Sequence, residues 1–105
     1  MIKDLIGEDE KIIECNENIK SKIFSALAGT SYSVDEMNSI SDYENNIHHI
    51  VALSSGKNGN GNWIDYIDDL KKMFLFMEIE FEKVWMIELK YDCPDDVYTV
   101  YVGCQ

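Results

Sequence analysis

Arginine is missing from this chain altogether. All nine basic residues are lysines, they face twenty acids, and the 105 residues carry a net charge of −11. Proline occurs once, at Pro94, so few positions have their backbone locked or stripped of a donor. No apolar run approaches the ~20 residues that a helix needs to span a bilayer. Cysteine is scarce too: Cys15, Cys93 and Cys104 are odd in number and lack metal-ligand spacing. That pattern suits a reducing cytosol better than a disulfide scaffold. Met1-Ile-Lys-Asp-Leu-Ile is too short an apolar start for a secretory leader, and acids follow it directly. The expected location is therefore cytoplasmic, and the heavy use of Ile, Asn and Lys points to an AT-rich bacterial or phage coding sequence.

The charge also excludes partners. A field this negative repels nucleic-acid phosphates and anionic headgroups, and it attracts basic surfaces. Direct nucleic-acid binding and a membrane-surface role are not expected. Solubility alone asks for a net charge of only about 2–8 on a small domain, and self-repulsion costs stability. A hydrophobic fraction of 46% supplies a core, and the length suits one domain, residues 1–105.

Ile12, Cys15, Ile19, Ile23 and Leu27 recur at spacings of 3, 4, 4 and 4, which predicts a helix over 8–28 with Glu8, Asp9 and Glu10 in its first turn and Gly29 as its stop. Residues 30–46 leave two readings open. Ser33-Val34-Asp35-Glu36 has the capping-box pattern of a short helix from Val34 to about Ile40, while Thr30 to Val34 also reads as a strand. Ile47 to Ser54 is a short apolar run expected as a buried strand. A Gly/Asn loop follows, then a helix over 62–77 in which Trp63, Ile67, Leu70, Phe74 and Met77 share one face. Asp65, Asp68, Asp69 and Lys72 fall opposite, and so does Phe76. From Ile79 the period becomes two. Glu78, Glu80 and Glu82 alternate with Ile79 and Phe81, and Trp85, Ile87, Leu89 and Tyr91 share the face of the next run. An antiparallel hairpin of 83–91 and 97–103 is expected, with turn residues at 92–96. Together these elements predict an α+β sandwich, two helices on a three- or four-stranded sheet. The strand at 47–54, reached through a strand–helix–strand unit, would run parallel to the strand that follows if the two are adjacent.

Candidate chemistry is sparse. Strand, Gly-rich loop with Lys57, then helix outlines a phosphate loop, but no Gly stands five residues before Gly56 and Asn58 replaces the Ser or Thr. Gly59 and Gly61 lack the third glycine of a dinucleotide fingerprint, because Ile64 stands there. His48 and His49 point to opposite faces of a strand and cannot readily share a metal ion. Cys15, among Glu14 and Glu17, reads as a core thiol rather than a nucleophile. No catalytic, cofactor or metal set emerges, and the chain is read as no enzyme.

The acids remain. Glu78, Glu80 and Glu82 on one strand face would stand about 6.6–6.8 Å apart. Asp65, Asp68 and Asp69 would lie one helical turn apart, about 5–6 Å between Cβ atoms. Asp35, Glu36, Asp42 and Glu44 come with no base, and Asp92, Asp95 and Asp96 cluster at the hairpin turn. Rows of this kind match the charge spacing of a nucleic-acid backbone. In size, acidity and α+β layout the chain resembles small phage-encoded inhibitors of the anti-CRISPR, DNA-mimic type, and bacterial immunity proteins that neutralise nuclease toxins. The resemblance implies a cofactor-free inhibitor whose acidic patches, with Phe76, occupy the basic groove of a nuclease or CRISPR effector. The alternative is an interaction or assembly module that binds through apolar surface, its acidity serving solubility.

Overall fold

The computed structural model describes residues 1–55, 63–92 and 97–105, with side chains for all of these except 63–65. A short 3₁₀ helix (Ile2–Leu5) leads into strand β1 (Lys11–Ile13) and helix α1 (Glu17–Leu27). Strands β2 (Tyr32–Ser41) and β3 (Ile47–Ser55) follow, then helix α2 (Trp63–Glu80) and strands β4 (Val84–Asp92) and β5 (Val97–Cys104). The strands form one sheet in the order β1-β2-β3-β5-β4, every neighbouring pair antiparallel. The α+β class and the C-terminal hairpin are as the sequence predicts, and the sheet gains a fifth strand.

The expected helix over 8–28 is half as long. Asn16 starts it, its side-chain oxygen accepting from Ile19 N at 2.9 Å, so only Glu17 of the acids occupies the first turn. Upstream, β-branched Ile12 and Ile13 pair with Ile40 and Ser39 instead. Cys15 is buried ahead of the cap, its thiol 3.3 Å from Ser39 Oγ. Gly29 ends the helix at φ 87°, a left-handed conformation that favours glycine.

β2 resolves the ambiguity at 30–46 in favour of one long strand, and a bulge explains why a helix looked plausible. The register shifts between Val34 and Glu36, so Asp35 is an extra residue. Val34 and Met37 consequently share the core face at a spacing of three, which imitates helical periodicity. A second bulge between Met86 and Glu88 splits the single face expected for Trp85, Ile87, Leu89 and Tyr91. Leu89 packs with the helices, whereas Ile87 joins the opposite side.

One face of the sheet carries α1 and α2. Ile23 and Leu27 of α1, and Leu70, Met73 and Met77 of α2, close over Val51, Leu53, Val100 and Val102. The other face is covered in part by Ile2, fully buried among Ile40, Ile50, Ala52 and Tyr101. Farther along it Trp85 lies over Gly103, where an added Cβ would come within 2.3 Å of the indole. β3 lies between β2 and β5 and is antiparallel to both. The strand it reaches through α2, β4, runs parallel to it with β5 in between, so the expected parallel neighbour is one strand away.

Candidate functional site

α2 is longer than its sequence pattern suggests, and this relocates three candidate acids. The run from Glu78 to Glu82 does not form a strand. Met77 and Phe81 are both buried at i and i+4, and Phe81 N donates to Met77 O at 2.9 Å, so the helix continues to Glu80. Glu78 and Glu80 lie in its last turn and Glu82 just beyond. All three are exposed, and none of their carboxylates has an ion pair or hydrogen bond among the described residues.

This placement opposes the helix dipole. The C-terminal end of a helix carries partial negative charge and favours lysine or arginine. The last turn of α2 contains no basic residue and two glutamates. Beside them stands an apolar ridge of which the sequence pattern marks only Phe76. Phe76 is 40% exposed as expected for the polar side, but Leu75 and Ile79 flank it at 65% and 76% exposure. Leu75 already lies within the helix expected over 62–77, and continuing that helix past Met77 adds Ile79, four residues on, to the same side.

The register brings further acids to the same end of the molecule. His49 pairs with Ser39 and Cys104, and its ring lies 6.3 Å from that of Phe81. The turn joining β2 to β3 therefore extends from the end at which α2 finishes. Asp42 and Glu44 lie in that turn. Beside it Glu8, Asp9 and Lys11 help line a depression of about 330 Å³ with Asp42 and Tyr43. Asp42 is structural as well as exposed to charge: it accepts from the backbone N–H groups of Glu44 and Asn46 at 2.8 and 2.9 Å. The Asn46 N–H is the main reason its carboxyl is held below the ordinary value. The Glu44 carboxylate beside Tyr43 raises the pKa of its phenol.

Other candidates are occupied in the fold. Asp69 accepts from the backbone N–H of Ser31 at 2.9 Å and from its hydroxyl, tying α2 to the turn before β2. Tyr32 donates to Tyr66 O at 3.2 Å in the same place, and burial with the nearby Asp69 charge pushes its phenol up to about 12. Glu36 accepts from Ile2 N at 2.8 Å and pins the 3₁₀ helix to the sheet. Asp35, on the bulge, accepts from Ser54 Oγ at 2.9 Å. Asp68 is exposed on α2 and Asp92 ends β4, both away from the Glu78–Glu82 end. Asp95, Asp96 and the side chain of Asp65 lie outside the described residues.

The histidines sit on opposite faces, as their spacing requires. His48 approaches the Trp85 ring at 5.9 Å, while His49 Nδ1 is 2.7 Å from Ser39 Oγ, which also meets Cys15. Burial, with His48 and Lys22 adding to it, lowers the His49 pKa. Burial likewise pushes the Cys104 thiol up to about 12. Among the described residues no three His, Cys, Asp or Glu side chains are placed to hold a metal ion, and no helix is long and apolar enough to cross a membrane. No family model matches this chain, and no curated protein or solved structure matches it.

Proposed function

We propose that this chain is a non-enzymatic inhibitor that binds a basic nucleic-acid-handling effector or nuclease, of the anti-CRISPR or toxin-immunity kind, in a bacterial cytosol. The observation that carries the reading is the end of α2. Glu78, Glu80 and Glu82 stand unneutralised where a helix favours cations, at an end that Asp42 and Glu44 also share. Local rules of charge placement are broken most often where function demands it. A lysine- or arginine-lined groove would supply the missing counter-charge, and the net charge of −11 would steer its approach.

The test is a pull-down from bacterial lysate and from a panel of nucleases, at about 0.1 M and about 1 M salt, between which the screening length falls from roughly 10 to 3 Å. A basic nuclease held at low salt and released at high salt is the expected result. Retention that is unchanged when Glu78, Glu80 and Glu82 are all replaced by lysine would sink the reading. A second reading, an assembly module with an apolar interface, is favoured by one observation, the exposure of Leu75 and Ile79. A partner that stays bound at the higher salt would favour it.

A further inference from the structure

The outer face of α2 breaks two rules at once. Tyr66, Leu70, Met73 and Met77 already fill the face turned to the core. Leu75, Phe76 and Ile79 project on the other side, where a surface helix ordinarily presents polar residues. A single exposed apolar side chain needs no explanation, but adjacent ones at helical spacing form a patch of the kind that marks an interaction site. Lys71 and Lys72 precede this ridge, and Glu78, Glu80 and Glu82 close it.

We infer that the Leu75–Phe76–Ile79 ridge seats an amphipathic basic helix of a partner, whose aliphatic side chains pack on the ridge while its lysines or arginines meet Glu78, Glu80 and Glu82. The inference rests on the basic-partner reading above and specifies the chemistry of the partner's contact. Charge selects the occupant. The acids lie at the negative end of the α2 dipole, so a cation set there gains from both the carboxylates and the terminal carbonyl groups. A second copy of this chain is the poorer fit: in an antiparallel pairing its Lys71 and Lys72 would meet the glutamates, but it brings a further net charge of −11 with them. Aliphatic anchors in a helix-on-helix contact supply affinity, and charges at its rim set the rate of encounter.

Two synthetic peptides of identical leucine and lysine content test this, one with leucines at helical spacing and one scrambled. Titration calorimetry with the full chain should find the patterned peptide bound at least about tenfold tighter, a difference of about 1.4 kcal/mol. Leu75→Ser with Ile79→Ser should erase that preference while the melting temperature holds, since both side chains are exposed. Equal binding of the two peptides overturns the ridge and leaves the charge reading standing, because that reading answers to the lysine-for-glutamate pull-down. A preference that survives the double serine variant also overturns it. So does sedimentation equilibrium that finds a dimer abolished by the same two substitutions, which would make a second copy the occupant.

Discussion

The carboxylates along α2 belong to two regions that treat charge differently. In its first half Asp69 is spent on the fold, holding both the N–H and the hydroxyl of Ser31, as Asp35 on β2 holds Ser54. At its far end Glu78, Glu80 and Glu82 hold nothing within the described residues and stand against the helix dipole. A carboxylate thus stabilises one end of the element and strains the other. Proteins place acids of the first kind for folding; acids of the second kind persist when something outside the fold rewards them. The contrast predicts that damage to the two sets will separate stability from binding.

The largest effect should come from reversing charge at the strained end. Replacing Glu78, Glu80 and Glu82 together by lysine should weaken capture of a basic partner on the order of 100-fold at low salt, mainly through slower association. Surface plasmon resonance at two salt concentrations checks it. An unchanged association rate would erase the functional half of the comparison. At the other end, Asp69→Ala removes two hydrogen bonds that tie α2 to the turn before β2, at an exposed site where water can take over the Ser31 N–H. It should cost about 0.5–1.5 kcal/mol, read as a lower urea midpoint. Partner binding should barely move, since Asp69 is turned toward Ser31.

Protonation tests the structural side of this division. The His49 pKa is lowered in the fold, so the unfolded chain binds its proton more readily as pH falls below about 6.5. Stability present above that value should decline as pH drops through the folded pKa. Asp42 follows with its own lowered value: its contribution is full above the ordinary carboxylate range, near pH 4, and lost below it. Thermal melts between pH 8 and pH 3, expressed relative to wild type, should show the upper step vanish in His49→Gln. A step that persists would assign it to another group.

Much of this architecture was legible from sequence, and the failures have physical causes. β3 and the β4–β5 hairpin are readable because their apolar runs are bounded by turn residues, whereas the core face of α2 is readable only at Leu70 and Met77: Tyr66 and Met73 complete it, and Ile67 and Phe74 are only half-buried. Ile12 and Cys15 fit a helix by spacing alone, although a three-residue strand and an asparagine cap occupy the same span. The bulge at Asp35 disguised a strand as a helix by converting a spacing of two into three. Glu78-Ile79-Glu80-Phe81 alternates like a strand, yet Met77 and Phe81 are one helical turn apart and both buried, and tertiary burial prevailed over local alternation. The candidate site suffered most from this. Its acids were identified by composition, but the ridge that accompanies them became visible only once α2 was seen to reach Glu80.

The smallest predicted effect is the most discriminating, because its sign is unusual. Glu78→Gln or Glu80→Gln removes a negative charge from the negative end of α2, so each should raise stability by about 0.3–1 kcal/mol at low ionic strength. The gain should shrink as salt is added, since exposed charges are screened within about 10 Å at 0.1 M. Most substitutions destabilise, and a surface change remote from any contact ordinarily moves stability by less than about 0.5 kcal/mol in either direction. Two neighbouring glutamates that each stabilise the fold on neutralisation, while weakening capture of a basic partner, would mean the chain gives up stability to keep charge at this end. If chemical denaturation finds both variants neutral or less stable, the strain is absent. Glu78 and Glu80 would then be an ordinary solvated face, and the two ends of α2 would differ in composition but not in purpose.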